Sequence, residues 1–103
     1  MKNFIDQGIP KEIIDKVYKE HDFQIRKWGW QHHSIYEWLA FATEELGEVS
    51  AVICDYEYDR GGKQEDIVKE AIQAATLLLK IATMYYEEEK KEEKKVIPFP
   101  KNS

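Results

Sequence analysis

The chain has 103 residues, a formal net charge of −5, 43% hydrophobic and 13% aromatic residues, and a single cysteine, Cys54. That length suits one domain, the apolar content excludes a disordered chain, and one cysteine excludes an intrachain disulfide framework and fits a reducing compartment. An acidic surface disfavours nonspecific nucleic-acid binding, which needs clustered Lys and Arg, but it admits a small phosphorylated ligand held through metal ions, because the metal supplies the positive charge.

No apolar run is long enough to span a bilayer, and the opening "MKNFIDQGIP" lacks the apolar core of a secretory signal. The expectation is a cytoplasmic protein with no nucleic-acid and no membrane partner.

The first predicted helix starts at Pro10, a good first-turn residue, and runs to about Lys27, with Ile13, Ile14, Val17, Tyr18 and Ile25 on its apolar side. The aromatic stretch "KWGWQHH" is broken by Gly29 and reads as a loop. Ser34 with Glu37 forms a capping box for the second helix, which runs to about Asp59. There "RGGK" stops it, with Gly61 and Gly62 supplying the C-terminal geometry. A third helix runs from about Gln64 to about Tyr86; "EEEKKEEKK" either extends it through Glu–Lys pairs or frays. Pro98 and Pro100 keep the final segment out of a helix.

No strand pattern or internal repeat is visible. The expected fold is all-α: a single domain over 1–95, a bundle of three main helices, then a Pro-containing tail over 96–103. Helical domains this small often complete their core by oligomerising, so a homodimer or homotetramer is expected.

At about 100° per residue, Ile35, Leu39, Ala42, Leu46, Val49, Ile53 and Tyr56 share one stripe of the second helix, the natural core face. Glu45 lies at the edge of that stripe beside Trp38 and Val52, Glu48 about 60° further round, and Glu44 beyond it. On the third helix the widest apolar side holds Val68, Ala71, Ala75, Leu78, Ala82 and Tyr85, while Asp66, Glu70 and Gln73 share another face with Lys80 further along it. Antiparallel packing across "RGGK" would set Glu45 and Glu48 opposite Glu70 and Gln73.

Converging carboxylates are costly without a cation. Mg²⁺ prefers such hard oxygen ligands and keeps waters that a substrate phosphate can displace. An ordinary solvated acidic face fits the same spacing, which does not decide between them.

The run Glu44-Glu45-Leu46-Gly47-Glu48 and the segment "EAIQAATLLLKI" resemble the MazG-like nucleotide pyrophosphohydrolases of the all-α NTP pyrophosphatase superfamily, which carry Glu-Glu-x-x-Glu on one helix and Glu-x-x-Asp on the next. The approach "KWGWQHHSIYEWLAFATEE" is similar to that of dCTP- and dUTP-type relatives. The resemblance covers roughly Arg26 to Ile81.

It implies an enzyme that hydrolyses a nucleoside triphosphate to the monophosphate (NMP or dNMP) and pyrophosphate, with Mg²⁺ as cofactor and Mn²⁺ as the alternative ion. Glu45, Glu48 and Glu70 would be metal ligands with Gln73 beside them. Glu44 would hold a second ion or orient water, so that Glu44 and Glu45 are the catalytic pair. Gln73 departs from the family aspartate: its amide oxygen brings no charge and is a poor base, and Asp66, one turn before Glu70, is the residue placed to compensate.

Trp28, Trp30 and His33 are candidates for stacking on or hydrogen-bonding to a base; sealing the first helix against the bundle explains the tryptophans as well. His32 and His33 form a pair without a third matched ligand, a weak transition-metal pattern. Lys80 is the best placed of Lys27, Arg60, Lys63 and Lys80 to meet phosphates. Cys54 reads as a structural thiol. Two other functions fit the same residues: a weakly active or inactive nucleotide- or metal-binding relative, which Gln73 would explain, and a structural helical dimerisation module.

Overall fold

The computed structural model describes residues 8–29 and 31–95. They form three helices, α1 (Lys11–Trp28), α2 (Ile35–Glu57) and α3 (Gln64–Lys95), and among the described residues there is no strand. None of the three is long and apolar enough to cross a membrane. Trp30 and the segment 96–103 lie outside the described residues.

Pro10 precedes α1 as its N-cap, and Gly29 ends it with φ 69°, a left-handed conformation that glycine adopts without cost. The capping box of α2 is present in both directions. The Glu37 amide donates to Ser34 Oγ at 3.2 Å, and the Ser34 amide donates to Glu37 Oε1 at 2.9 Å. These two bonds satisfy amides that a helix start leaves without partners.

The end of α2 departs from expectation in one detail. The left-handed residues after the helix are Asp59 (φ 56°) and Gly61 (φ 84°), not the Gly61–Gly62 pair. Gly62 is required for a different reason: a Cβ there would lie 2.6 Å from the Tyr56 nitrogen, so the chain turns back against its own helix end. The Lys63 amide then donates to Asp66 Oδ2 at 3.2 Å and starts α3.

α3 runs on through the Glu/Lys-rich segment to Lys95, nine residues beyond Tyr86, the shorter of the two expectations. Lys91 pairs with Glu88 at 3.5 Å there.

α2 and α3 pack against each other as an antiparallel hairpin, and α1 packs on α3 but not on α2. Trp38, Ile72 and Leu77 are the buried hydrophobic side chains of the described residues, with Thr76 between them bonded to the Ile72 carbonyl at 2.8 Å.

The stripe expected to be the core face of α2 is half-buried only at Ala42 and Val49: Leu39 is 59% and Leu46 66% exposed, whereas Trp38, off the stripe, is 5% exposed. α2 is turned so that Trp38, Glu45, Val49 and Val52 lie toward α3. The physical reason is the width of the apolar sector. It spans both sets of residues, and the single neighbour α3 covers only part of it.

Candidate metal centre

Glu45 and Glu48 sit three residues apart on α2 and so project from nearly the same side. The short connection after Glu57 brings α3 back alongside, with Glu70 facing them. One carboxylate oxygen from each of Glu45, Glu48 and Glu70 lies within 4.8 Å of the other two. Glu45 and Glu70 are half-buried, and Glu48 is exposed. The Oε2 atoms of Glu45 and Glu70 are buried with no hydrogen-bond partner, which in a folded interior calls for an explanation.

The electrostatics follow from this packing. Burial pushes the Glu45 carboxyl above its ordinary range, and the charges of Glu48, Glu70, Glu44 and Glu20 push the same way. Glu70 is also raised, first by burial and then by Glu48, which acts through its charge and as a hydrogen-bond partner; Lys69 opposes the shift weakly. Two events relieve such a cluster: proton uptake or arrival of a cation. The donor set, three carboxylates with two unsatisfied oxygens, matches a hard divalent ion.

The other expected residues are distributed around this point. Glu44 is exposed beside Glu45 and adds to its charge. Gln73 and Asp66 are half-buried on α3, one turn after and one turn before Glu70.

Lys80 is half-buried two turns beyond Gln73, with its ammonium bonded to Gln24 Oε1 of α1. Burial lowers its pKa, and the Glu20 charge opposes that. Lys80 also lines a small recess with Gln24, Trp28, Gln31 and Trp38, so the structure brings Trp28 and Lys80 together.

Trp28 itself is more than half exposed, with the Lys27 ammonium 4.7 Å from its ring centre, so it does not seal the bundle. His33 is packed edge-on against Trp38 and Phe41 at 5.1 and 5.0 Å and contacts Gln31 at 3.3 Å. Arg60 pairs with Asp55 at 3.5 Å, away from the carboxylate cluster. Cys54 is a half-buried free thiol.

One residue near the cluster escaped the sequence reading. Glu20 on α1 accepts from Gln24 Nε2 at 2.6 Å and bears electrostatically on both Glu45 and Lys80. The available signal was positional: Ile13, Val17, Glu20 and Gln24 continue one helical stripe, so two polar side chains occupy an otherwise apolar side. Trp38, which the sequence set beside Glu45 on the wheel of α2, buries its indole N–H without a partner.

Comparison with protein-family models, with curated proteins and with solved structures finds no match for the chain.

Proposed function

We propose that this chain is a Mg²⁺-dependent nucleoside triphosphate pyrophosphohydrolase of the MazG-like type, with Mn²⁺ as an alternative ion. The observation that carries the reading is the approach of Glu45, Glu48 and Glu70 from two helices, with two buried carboxylate oxygens lacking any donor. Those three residues would hold the ion, with the Gln73 amide oxygen as a neutral neighbour. A bound Mg²⁺ would supply positive charge to the triphosphate oxygens and acidify water.

The chain's own groups do the rest. Glu44, exposed at the rim, accepts the proton of the water that attacks the α-phosphorus, with Glu45 as its catalytic partner. The α-phosphorus–oxygen bond to the β-phosphate breaks, and pyrophosphate leaves. Lys80 presents its ammonium from the α1–α3 groove toward phosphate oxygens, and Trp28 and His33 flank the base.

A second reading is favoured by Gln73: where the motif has an acid, this chain has an amide, so it binds nucleotide and metal with little turnover.

The test is pyrophosphate release from a panel of NTPs and dNTPs with Mg²⁺, beside the Glu48→Gln variant. The expected outcome is turnover of at least one nucleotide, lost in the variant with helix content unchanged. Nucleotide-dependent thermal stabilisation without turnover would favour the second reading. Turnover indifferent to Glu48→Gln would contradict the assigned site.

A further inference from the structure

We propose that Glu20 of α1 supplies the negative charge that Gln73 does not bring to the cation site, by holding a water of the bound ion. This role rests on the cation reading of Glu45, Glu48 and Glu70, and it adds a residue from a third helix.

The packing places Glu20. Ile13, Val17, Glu20 and Gln24 continue one stripe of α1, and all four are half-buried, while Lys16, Lys19, Asp22 and Phe23 are exposed. α1 packs on α3, so the stripe is turned to that helix. Along α3 the position of Glu20 is bracketed. It lines a groove with Val68, Lys69 and Ile72, and Gln24, one turn later on α1, accepts a hydrogen bond from the Lys80 ammonium. Between Ile72 and Lys80 the polar residues of α3 are Gln73 and Thr76. Thr76 turns its hydroxyl to the Ile72 carbonyl. Gln73 and Lys80 are seven residues apart and share a side of α3. Glu20 therefore faces α3 at the level of Gln73.

A half-buried acid on an otherwise apolar stripe costs free energy unless donors or a cation meet it. Gln24 meets it in part and fixes its position. Its Nε2 donates to Glu20 Oε2 at 2.6 Å, while its own Oε1 is held by Lys80. The Glu20 charge bears on Glu45 of α2 and on Lys80 of α3, so Glu20 stands between the carboxylate cluster and the lysine. A further carboxylate turned toward the cluster is repelled by it when no cation is bound, and attracts the same cation.

Asp66 was the residue the sequence placed to compensate for Gln73. Its carboxylate is engaged elsewhere: Oδ2 accepts from the Lys63 amide at 3.2 Å, at the start of α3. The oxygens within 4.8 Å of one another belong to Glu45, Glu48 and Glu70, and Glu20 is not among them. Its part is therefore taken through water. Mg²⁺ keeps several waters when protein ligands are few, and an acceptor that orients such a ligand strengthens the hold on the ion.

The experiment is calorimetric titration of the whole chain with Mg²⁺ and with Mn²⁺, beside urea denaturation without metal. Glu20→Gln keeps the shape of the side chain and can still meet Gln24. It should weaken Mg²⁺ binding about ten-fold, the size of effect seen when partners of metal ligands are removed. The metal-free urea midpoint should hold or rise, because a charge opposed to Glu45 is gone. Gln73→Asp should strengthen binding more in the Glu20→Gln background than in the wild type, since the two positions fill one role.

Wild-type binding that Glu20→Gln leaves unchanged would overturn this role and leave the three-glutamate site standing. A wild type that binds neither ion would overturn both. A lower metal-free midpoint with unchanged affinity would make Glu20 a packing residue, and equal gains from Gln73→Asp in the two backgrounds would make the positions independent; either result overturns the proposal. If Glu20→Gln does not fold, wild-type crystals grown with Mn²⁺ decide. A water shared between the ion and a Glu20 oxygen supports the role, and an occupied ion site without that water overturns it.

Discussion

Glu45 and Glu70 each bury one carboxylate oxygen with no donor to meet it, and that fixes how their protons respond to pH. A carboxyl whose folded pKa is raised holds its proton more firmly in the folded chain than in the unfolded one. Its stabilising contribution is complete below the unfolded value and is lost as pH rises through the raised folded value. Both groups are raised. The melting temperature of the metal-free protein should therefore contain a component that falls as pH is raised above the ordinary carboxylate range. Glu45→Gln and Glu70→Gln should each flatten it, and scanning calorimetry from pH 5 to 8 reads it directly.

Gln73 supplies a second expectation. Hard cations bind more tightly as ligand charge grows, so Gln73→Asp should increase the Mg²⁺-induced rise in melting temperature. A variant that melts lower with and without Mg²⁺, with no gain in metal response, would remove Gln73 from the site.

The three-glutamate cluster was legible in the sequence because i,i+3 spacing fixes one side of a helix, and the short turn fixes which helix faces it. Glu20 and Gln24 were not, because the docking angle of α1 on α3 is set by contacts between helices, which neither helix's own periodicity contains.

At the scale of elements, the clearest sequence signal was the Ser34/Glu37 capping box, whose two hydrogen bonds are both formed. Ser34→Ala removes the acceptor for the Glu37 amide. It should cost about 1 kcal/mol, within the range for N-cap losses, measured by urea denaturation. The variant should leave Mg²⁺ affinity unchanged, because the carboxylate cluster lies more than two turns along α2.

The stripe of Ile35, Leu39, Leu46 and Ile53 was the misleading signal. Periodicity identifies apolar residues that share a side, but not whether a helix of the same chain or another covers them. α2 has two adjacent apolar sectors, and the bulk of Trp38 draws the hairpin contact to its own. For the C-terminus of the third helix the sequence left extension and fraying open, and the helix extends to Lys95. Pairs such as Glu88–Lys91 hold its exposed turns, so no apolar pattern was needed to continue it.

For the molecule as a whole, all-helical architecture followed from the absence of any two-residue alternation and from the helical spacing of the apolar residues. The hairpin connection brings the site together: with α2 and α3 antiparallel across a tight turn at Gly62, Glu45 and Glu48 of one helix meet Glu70 of the other. The account stands on that meeting of carboxylates being a cation site. The most direct measurement is anomalous diffraction from crystals grown with Mn²⁺. The account predicts a peak among Glu45, Glu48 and Glu70, about 2.0–2.3 Å from their carboxylate oxygens, that disappears in Glu48→Gln. Well-ordered Glu45, Glu48 and Glu70 side chains with no peak between them at millimolar Mn²⁺ would contradict it.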